Sequence, residues 1–211
     1  DEMRDWFLPP DFLTAMMEKK WLGNKTRQGM YKKTKDERGK KQKLVLDWKT
    51  MEYGADAKVS FASVTAANRA EGDTADKMKV LFNGKDAAAE FVREFLCNNF
   101  IYAANRIPEI ADRVVEIDNA MKWGYNHALG PFESWDAVGV RNAVEVMKKL
   151  GKKVPKKIED MLKAGCESFY AKKADGLYYY DFAKKGYVKL EDNPRVILLP
   201  ALKEQKKVVA E

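Results

Sequence analysis

Ile117-Asp118-Asn119-Ala120-Met121-Lys122-Trp123-Gly124, resumed at Leu129-Gly130-Pro131-Phe132-Glu133-Ser134-Trp135-Asp136-Ala137-Val138-Gly139, is the most specific run in this chain of 211 residues. Ile110, Val114, Ile117 and Met121 recur at helical spacing and predict a helix, or a pair, from Pro108 to Trp123. Gly124 to Pro131 reads as a loop. Gly130-Pro131 turns the chain ahead of a short helix, with Phe132 and Trp135 facing a core and Asp136 accepting from nearby backbone donors. Gly139, like Gly29, suits a backbone conformation that a side chain penalises. Upstream, Asp86 opens a long helix carrying Phe91, Phe95, Cys97, Ile101 and Tyr102, which stops before Pro108. Thr74 caps another with Met78, Leu81 and Phe82, broken by Asn83-Gly84. Downstream, Val140, Val144 and Met147 form an amphipathic helix closed at Gly151. The class is mainly α.

A second pattern spans the whole chain. Pro10, as a first helical residue, predicts a helix to Leu22 that Gly23 ends. Gly29–Lys33 and Lys43–Trp48 then read as two strands around a Lys-rich turn. Pro155 to Ala164 and Gly176 to Glu191 repeat the order of helix and hairpin. Gly29 and Gly176, Tyr31 and Tyr178, and Gly39 and Gly186 are each 147 positions apart, and Met16 and Met161 are 145 apart. These landmarks predict a duplicated unit in which Met16 superposes on Met161, Tyr31 on Tyr178 and Gly39 on Gly186. Each hairpin needs its helix to pack on. Residues 50–72 are a connector with a short helix near Ser63–Ala70. A long helical pattern precedes the second copy and almost nothing precedes the first. The chain also starts Asp1-Glu2-Met3-Arg4-Asp5, without an initiator Met. It therefore reads as a piece of something larger, divided into 1–55 (remainder of a first copy), 56–85 (connector), 86–200 (second copy) and 201–211 (linker to a following domain). Helices missing from the first copy would leave Phe7, Leu8, Phe12 and Met16 to be buried by the second copy or a partner chain. Pro194–Leu199 reads as extended and Ala201–Glu211 as a basic tail.

Composition narrows the chemistry. Apolar residues make up 45% of the chain and aromatics 11%, which is globular. No apolar run approaches the roughly 20 residues that span a bilayer, and no signal peptide is visible. The expected location is the cytoplasm, with no membrane partner. Cys97 and Cys166 read as buried free thiols. The net charge of +7 would attract nucleic acid or a phosphorylated small molecule. Lys148, Lys149, Lys152, Lys153, Lys156 and Lys157 are a solvated face. The single histidine, His127, excludes a metal site built on several imidazoles and reads as a loop residue. There is no GxSxG elbow and no GxGxxG after a strand. Gly23-Asn24-Lys25-Thr26 lacks the remaining residues of a phosphate loop. No residue is assigned a catalytic role and none a metal.

Together with Trp21-Leu22-Gly23-Asn24-Lys25-Thr26-Arg27-Gln28-Gly29-Met30-Tyr31-Lys32, the opening run resembles the C-terminal helical domain of the 3-hydroxyacyl-CoA dehydrogenases. That family shows an "Ile-Asp-x-Ala-Met, two more, Gly" helix. It then shows "Gly-Pro-Phe, three more, Asp, two more, Gly", and "Leu-Gly-x-Lys-Thr-Gly-x-Gly-Phe-Tyr". The first two motifs fall in the second copy, at Asp118, Gly124, Gly130, Pro131, Phe132, Asp136 and Gly139. The third falls in the first copy, at Gly23, Gly29 and Tyr31, with an echo at Gly176-Leu177-Tyr178. Tyr102-Ala103-Ala104-Asn105-Arg106-Ile107-Pro108-Glu109-Ile110-Ala111-Asp112 is similar to multifunctional versions fused to an enoyl-CoA hydratase.

The resemblance implies a 6-phosphogluconate-dehydrogenase-C-terminal-like fold, two tandem helical copies with small β-hairpins, the first truncated. It implies an NAD-dependent parent oxidising 3-hydroxyacyl-CoA to 3-oxoacyl-CoA in fatty-acid β-oxidation. NAD and the His–Glu base pair belong to a preceding nucleotide-binding domain, so this chain alone would be inactive. It would wall the acyl-CoA cleft and pack against its own nucleotide-binding and hydratase domains, or in a homodimer. For Lys25 and Thr26 two readings stand: stabilising the turn, or lying near the thioester or nucleotide end of CoA. Arg27 and Met30 depart from the family's glycine and aromatic. Its substrate-holding asparagine aligns with Arg93-Glu94 and is absent, and Asn98, Asn99 and Asn105 do not replace it. Two other classes remain: a basic helical module binding nucleic acid, and a structural spacer between catalytic domains.

Overall fold

The computed structural model describes residues 4–191 and divides into two units, one ending at Ser60 and the other beginning at Phe61. The stretches 194–199 and 201–211 lie outside the described residues.

The N-terminal unit is one helix and one sheet. Helix α1 (Asp11–Glu18) has Pro10 as its N-cap rather than its first turn. It stops four residues short of Leu22, because Lys20 turns left-handed at φ 58°. The Lys20 and Trp21 amides then donate to the Met17 and Met16 carbonyls, which satisfies the helix end. Strands β1 (Tyr31–Lys35), β2 (Lys41–Asp47) and β3 (Glu52–Ala55) form an antiparallel meander. The predicted hairpin is thus three-stranded. Met16 and Leu46 are buried and Phe12 packs on Trp48 at 5.7 Å. Phe7 and Leu8, expected to be covered, are 66% and 60% exposed.

The C-terminal unit is mainly helical. It contains α2 (Ala62–Arg69), α3 (Thr74–Phe82), α4 (Ala87–Asn105), α5 (Val114–Tyr125), α6 (Pro131–Val138), α7 (Val140–Lys149) and α8 (Lys156–Lys163). Strands β4 (Tyr170–Lys173), β5 (Gly176–Asp181) and β6 (Gly186–Lys189) close it as a second meander. Asp73 caps α3 in a capping box with Asp76, placing Thr74 one residue inside. On α4 the buried stripe is Ala89, Cys97, Phe100, Ala103 and Ala104. Phe91 and Phe95 stack on each other in solvent. Residues 108–113 stay outside α5, so Ile110 is exposed; Gly124 is helical, and left-handed Asn126 ends the helix instead.

The two units share local geometry. Helix α8 has eight residues like α1, follows Pro155 as α1 follows Pro10, and ends in the same pattern, Gly165 and Cys166 amides to Leu162 and Met161 carbonyls. Met161 accepts from Cys166 at the end of α8 as Met16 does from Trp21 at the end of α1. The sheets match in a different register from the predicted one. Leu46 donates to Met30 as Tyr180 does to Phe169. The turn after β2 has Asp47 accepting from Lys49 and Thr50 with left-handed Met51. The turn after β5 has Asp181 accepting from Ala183 and Lys184 with left-handed Lys185. The Tyr53 hydroxyl donates to the Gly29 carbonyl, and Tyr187 to Ser168. Tyr31 therefore corresponds to Tyr170. Tyr178 lies in the central strand of its meander, Gly39 lies in the turn between β1 and β2, and Gly186 is the first residue of β6.

Candidate functional site

The motif residues of the C-terminal unit converge on α6. Asp118 is fully buried on α5. Its Oδ1 accepts the Phe132 amide (2.8 Å) and its Oδ2 the Glu133 amide (3.1 Å), which caps the N-terminus of α6 where its dipole favours an anion. The Tyr170 hydroxyl donates to the same Oδ2 at 2.7 Å. Gly130 is required because a Cβ there would stand 2.3 Å from Asp118 Oδ1 and 2.4 Å from its Cα. Glu133 turns back to accept the Gly130 amide (2.8 Å) and pairs with Lys122 at 2.5 Å.

One helical turn further, Asp136 reaches the sheet. Its two oxygens accept the Phe169 and Tyr170 amides at 2.7 and 2.9 Å, so Tyr170 is gripped by its backbone through Asp136 and by its phenol through Asp118. Behind this grip Trp135 lies parallel to Phe100 (5.0 Å) and tilted on Phe169 (5.2 Å), which meets Phe132 edge-on (4.8 Å). Burial pushes the Asp118 carboxyl up to about 7 against the pull of the Phe132 amide and Tyr170 hydroxyl. It raises Asp136 to about 7 against the Phe169 and Tyr170 amides. The Tyr170 phenol is raised by burial and then by the Asp118 charge. Each of the four Asp118 and Asp136 oxygens faces a donor of the protein itself. This arrangement holds helix to sheet.

The third motif forms a turn in the N-terminal unit. Asn24–Thr26 make a single 3-10 turn. The Thr26 hydroxyl accepts the Leu22 amide (2.9 Å) and donates to the Gln28 carbonyl (3.0 Å), which is the turn-stabilising role. A Cβ on Gly29 would stand 2.7 Å from the Gly23 backbone. Arg27, where the family has glycine, is left-handed at φ 62°. Lys25 is exposed. Arg93 donates to the Phe82 and Gly84 carbonyls and secures the end of α3. His127 is an exposed loop residue. Among the described residues no cluster of His, Cys, Asp and Glu suits a metal ion.

Tyr170 is the site residue that sequence reasoning passed over. Its signal was present, since Phe169-Tyr170 is the Phe-Tyr pair with which the third motif ends. An open cavity of about 640 Å³ between the end of α4 and α5 also went unforeseen. Arg106 and Arg113 line it, paired to Glu109 and Glu116.

Comparison with known proteins places this geometry. Residues 91–181 match the family model of the 3-hydroxyacyl-CoA dehydrogenase C-terminal domain, and this span contains Asp118, Asp136 and Tyr170. The chain is 39% identical over 98% of its length to a Bacillus subtilis protein named "Probable 3-hydroxyacyl-CoA dehydrogenase", of which it covers 25%. It is 27% identical over 70% of its length to a Rickettsia felis protein named "Putative fatty acid oxidation complex trifunctional enzyme", of which it covers 20%. A Rickettsia prowazekii protein of the same name is 25% identical over 56% of the chain, which covers 15% of it. The chain thus spans a quarter or less of the curated relatives it matches.

Proposed function

We propose that the chain is the helical part, without the nucleotide-binding domain, of an NAD-dependent 3-hydroxyacyl-CoA dehydrogenase of fatty-acid β-oxidation. The observation that carries this reading is the grip on Tyr170. Asp118, Gly130, Phe132 and Asp136 stand at the motif positions, inside the matched span, and all serve one structural purpose. The two units are then tandem copies of one domain, the first represented by α1 and its meander alone.

Oxidising a 3-hydroxyacyl thioester moves a hydride from C3 to an acceptor and a proton from the hydroxyl to a base, while donors polarise the nascent carbonyl. The residues here do not fit NAD. Both sheets are antiparallel, and no strand, Gly-rich turn and helix in succession occurs among the described residues. NAD and the base are therefore assigned to another domain of the longer protein. This chain supplies a rigid helical wall to the acyl-CoA cleft, with Lys25 near the CoA end, and surfaces for a hydratase domain or a second protomer. The trifunctional names of the Rickettsia relatives support the fused hydratase. No helix of the described residues is long and apolar enough to cross a membrane, which is compatible with work in the cytoplasm.

The test is direct. The longer gene product should convert 3-hydroxybutyryl-CoA with formation of NADH, and the purified 211-residue chain should neither do so nor bind NAD by calorimetry. NADH production by the chain alone would overturn the assignment.

A further inference from the structure

We propose that the solvent face of the N-terminal sheet, at Lys33, Lys35, Lys41 and Lys43, binds a compact polyphosphate, the end of a nucleotide that gathers two or three phosphates. The strand register carries this. Lys33 stands directly opposite Lys43, and Lys35 opposite Lys41. Opposed residues of an antiparallel ladder share a face and side chains alternate along each strand, so these four point away from buried Leu46. All four are exposed. Lys43 pairs with Asp56 at 2.8 Å, and among the described residues no carboxylate pairs with Lys33, Lys35 or Lys41.

Like charges set directly opposite each other destabilise a sheet, and here two rungs do so with only Thr34 and Gln42 between them. A bound anion offsets that repulsion. The meander itself does not require it: in the C-terminal unit Lys172 stands opposite Leu177 and Lys173 opposite Gly176. Residues 4–60 hold fourteen Lys and Arg against eight Asp and Glu, so this unit carries most of the net charge of +7. Spacing selects the ligand. Cross-strand neighbours lie about 5 Å apart at Cβ, and alternate residues of one strand about 7 Å apart. The four cations therefore form a small patch, which suits clustered phosphates. A nucleic-acid strand spreads its charges along a line and calls for a longer basic groove. Tyr31, 55% exposed with Lys43 Nζ 4.3 Å from its ring centre, begins the same face and offers a stacking surface to a base. Asp47 opposite Glu52 at the far end confines an anion to the lysines.

The site goes beyond the dehydrogenase reading and does not rest on it. Two sources share its chemistry, the nucleotide end of CoA and a free nucleoside triphosphate. The test is calorimetry of the 211-residue chain with CoA, with ATP and with a single-stranded oligonucleotide, at about 0.1 M salt. CoA or ATP should bind, and Lys33→Gln with Lys41→Gln should weaken that binding about tenfold. Lys148→Gln with Lys149→Gln removes the same charge from the exposed side of α7 and should leave it unchanged. Binding of CoA alone names the carrier as the source, and equal binding of ATP names free nucleotides. In the unsubstituted chain, the amide shifts that the ligand causes should concentrate in β1 and β2. No binding of either nucleotide, equal losses in the two double variants, shifts centred elsewhere, or tighter binding of the oligonucleotide would overturn the proposal. NADH formation by the longer gene product is a separate readout, so the two readings fail separately.

Discussion

Tyr31 and Tyr170 begin equivalent strands in two units that end their helices, turn their sheets and anchor a tyrosine hydroxyl in the same way. Tyr170 is gripped by two carboxylates, whereas Tyr31 is more than half exposed. The helix-and-meander is therefore a local device, specified by a capping turn, an Asp turn and a cross-sheet tyrosine. Its burial is a separate matter, supplied in one unit by α5 and α6. The grip should accordingly dominate the stability of the C-terminal unit and have no equivalent in the other.

Asp136→Asn should show the largest effect. An amide in that place turns an N–H toward a backbone N–H and leaves a buried donor unmet, at a cost of about 3 kcal/mol. Denaturant unfolding followed by circular dichroism at the helical bands would measure it, and a change below about 1 kcal/mol would show that the grip does not carry the packing.

Acidity tests the same carboxylates. Asp118 and Asp136 are held near 7 in the fold against 3.8 when free, so between those values the folded state keeps protons that the unfolded chain has released. That contribution is complete below 3.8 and is lost as pH rises through about 7. Asp86, lowered to about 2 by the Ser63 hydroxyl and amide, works in the opposite sense only below 3.8, outside this window. The Tm of the C-terminal unit should fall by several degrees between pH 5 and pH 8, and Asp136→Asn should flatten that slope. A Tm that rises over this range would contradict the upward shift of both carboxyls.

Tyr170→Phe removes a hydroxyl from a buried carboxylate and should lower stability by about 2 kcal/mol, while Tyr31→Phe should change it by less than about 0.5 kcal/mol. Equal losses would erase the contrast between the units. A gain rather than a loss is expected at the shared helix end. Lys20→Gly should stabilise by about 0.5–1 kcal/mol by relieving a left-handed lysine at the position Gly165 occupies in α8. Calorimetry of Lys20→Gly against the unsubstituted chain would show it, and a lower Tm would contradict it.

Much of this was legible in the sequence, for physical reasons. Helical spacing located α4 to α8, and Gly130-Pro131, Phe132, Trp135 and Asp136 announced a turn, a core and a backbone acceptor. Periodicity did not say which stripe of α4 faces inward. Small Ala89, Cys97, Ala103 and Ala104 let neighbouring helices approach, which leaves Phe91 and Phe95 outside. Glu52-Tyr53-Gly54-Ala55 is too short and too poor in β-formers to stand out, so β3 was missed. The landmarks 147 apart matched residue types across turns of different length. The hydrogen-bond register, set by Met30 and Phe169, lies elsewhere. Tyr170 escaped because its grip depends on Asp118, 52 residues away.

An experimentally determined structure of the 211-residue chain, with α1 superposed on α8 and the two meanders compared strand by strand, tests the duplicated unit most directly. Gly29 should then coincide with Ser168, Tyr31 with Tyr170, and Tyr53 with Tyr187, each of the latter tyrosines donating to the carbonyl of the former pair. A meander in which Tyr53 leaves the Gly29 carbonyl, or in which Tyr31 falls on Tyr178, would contradict it.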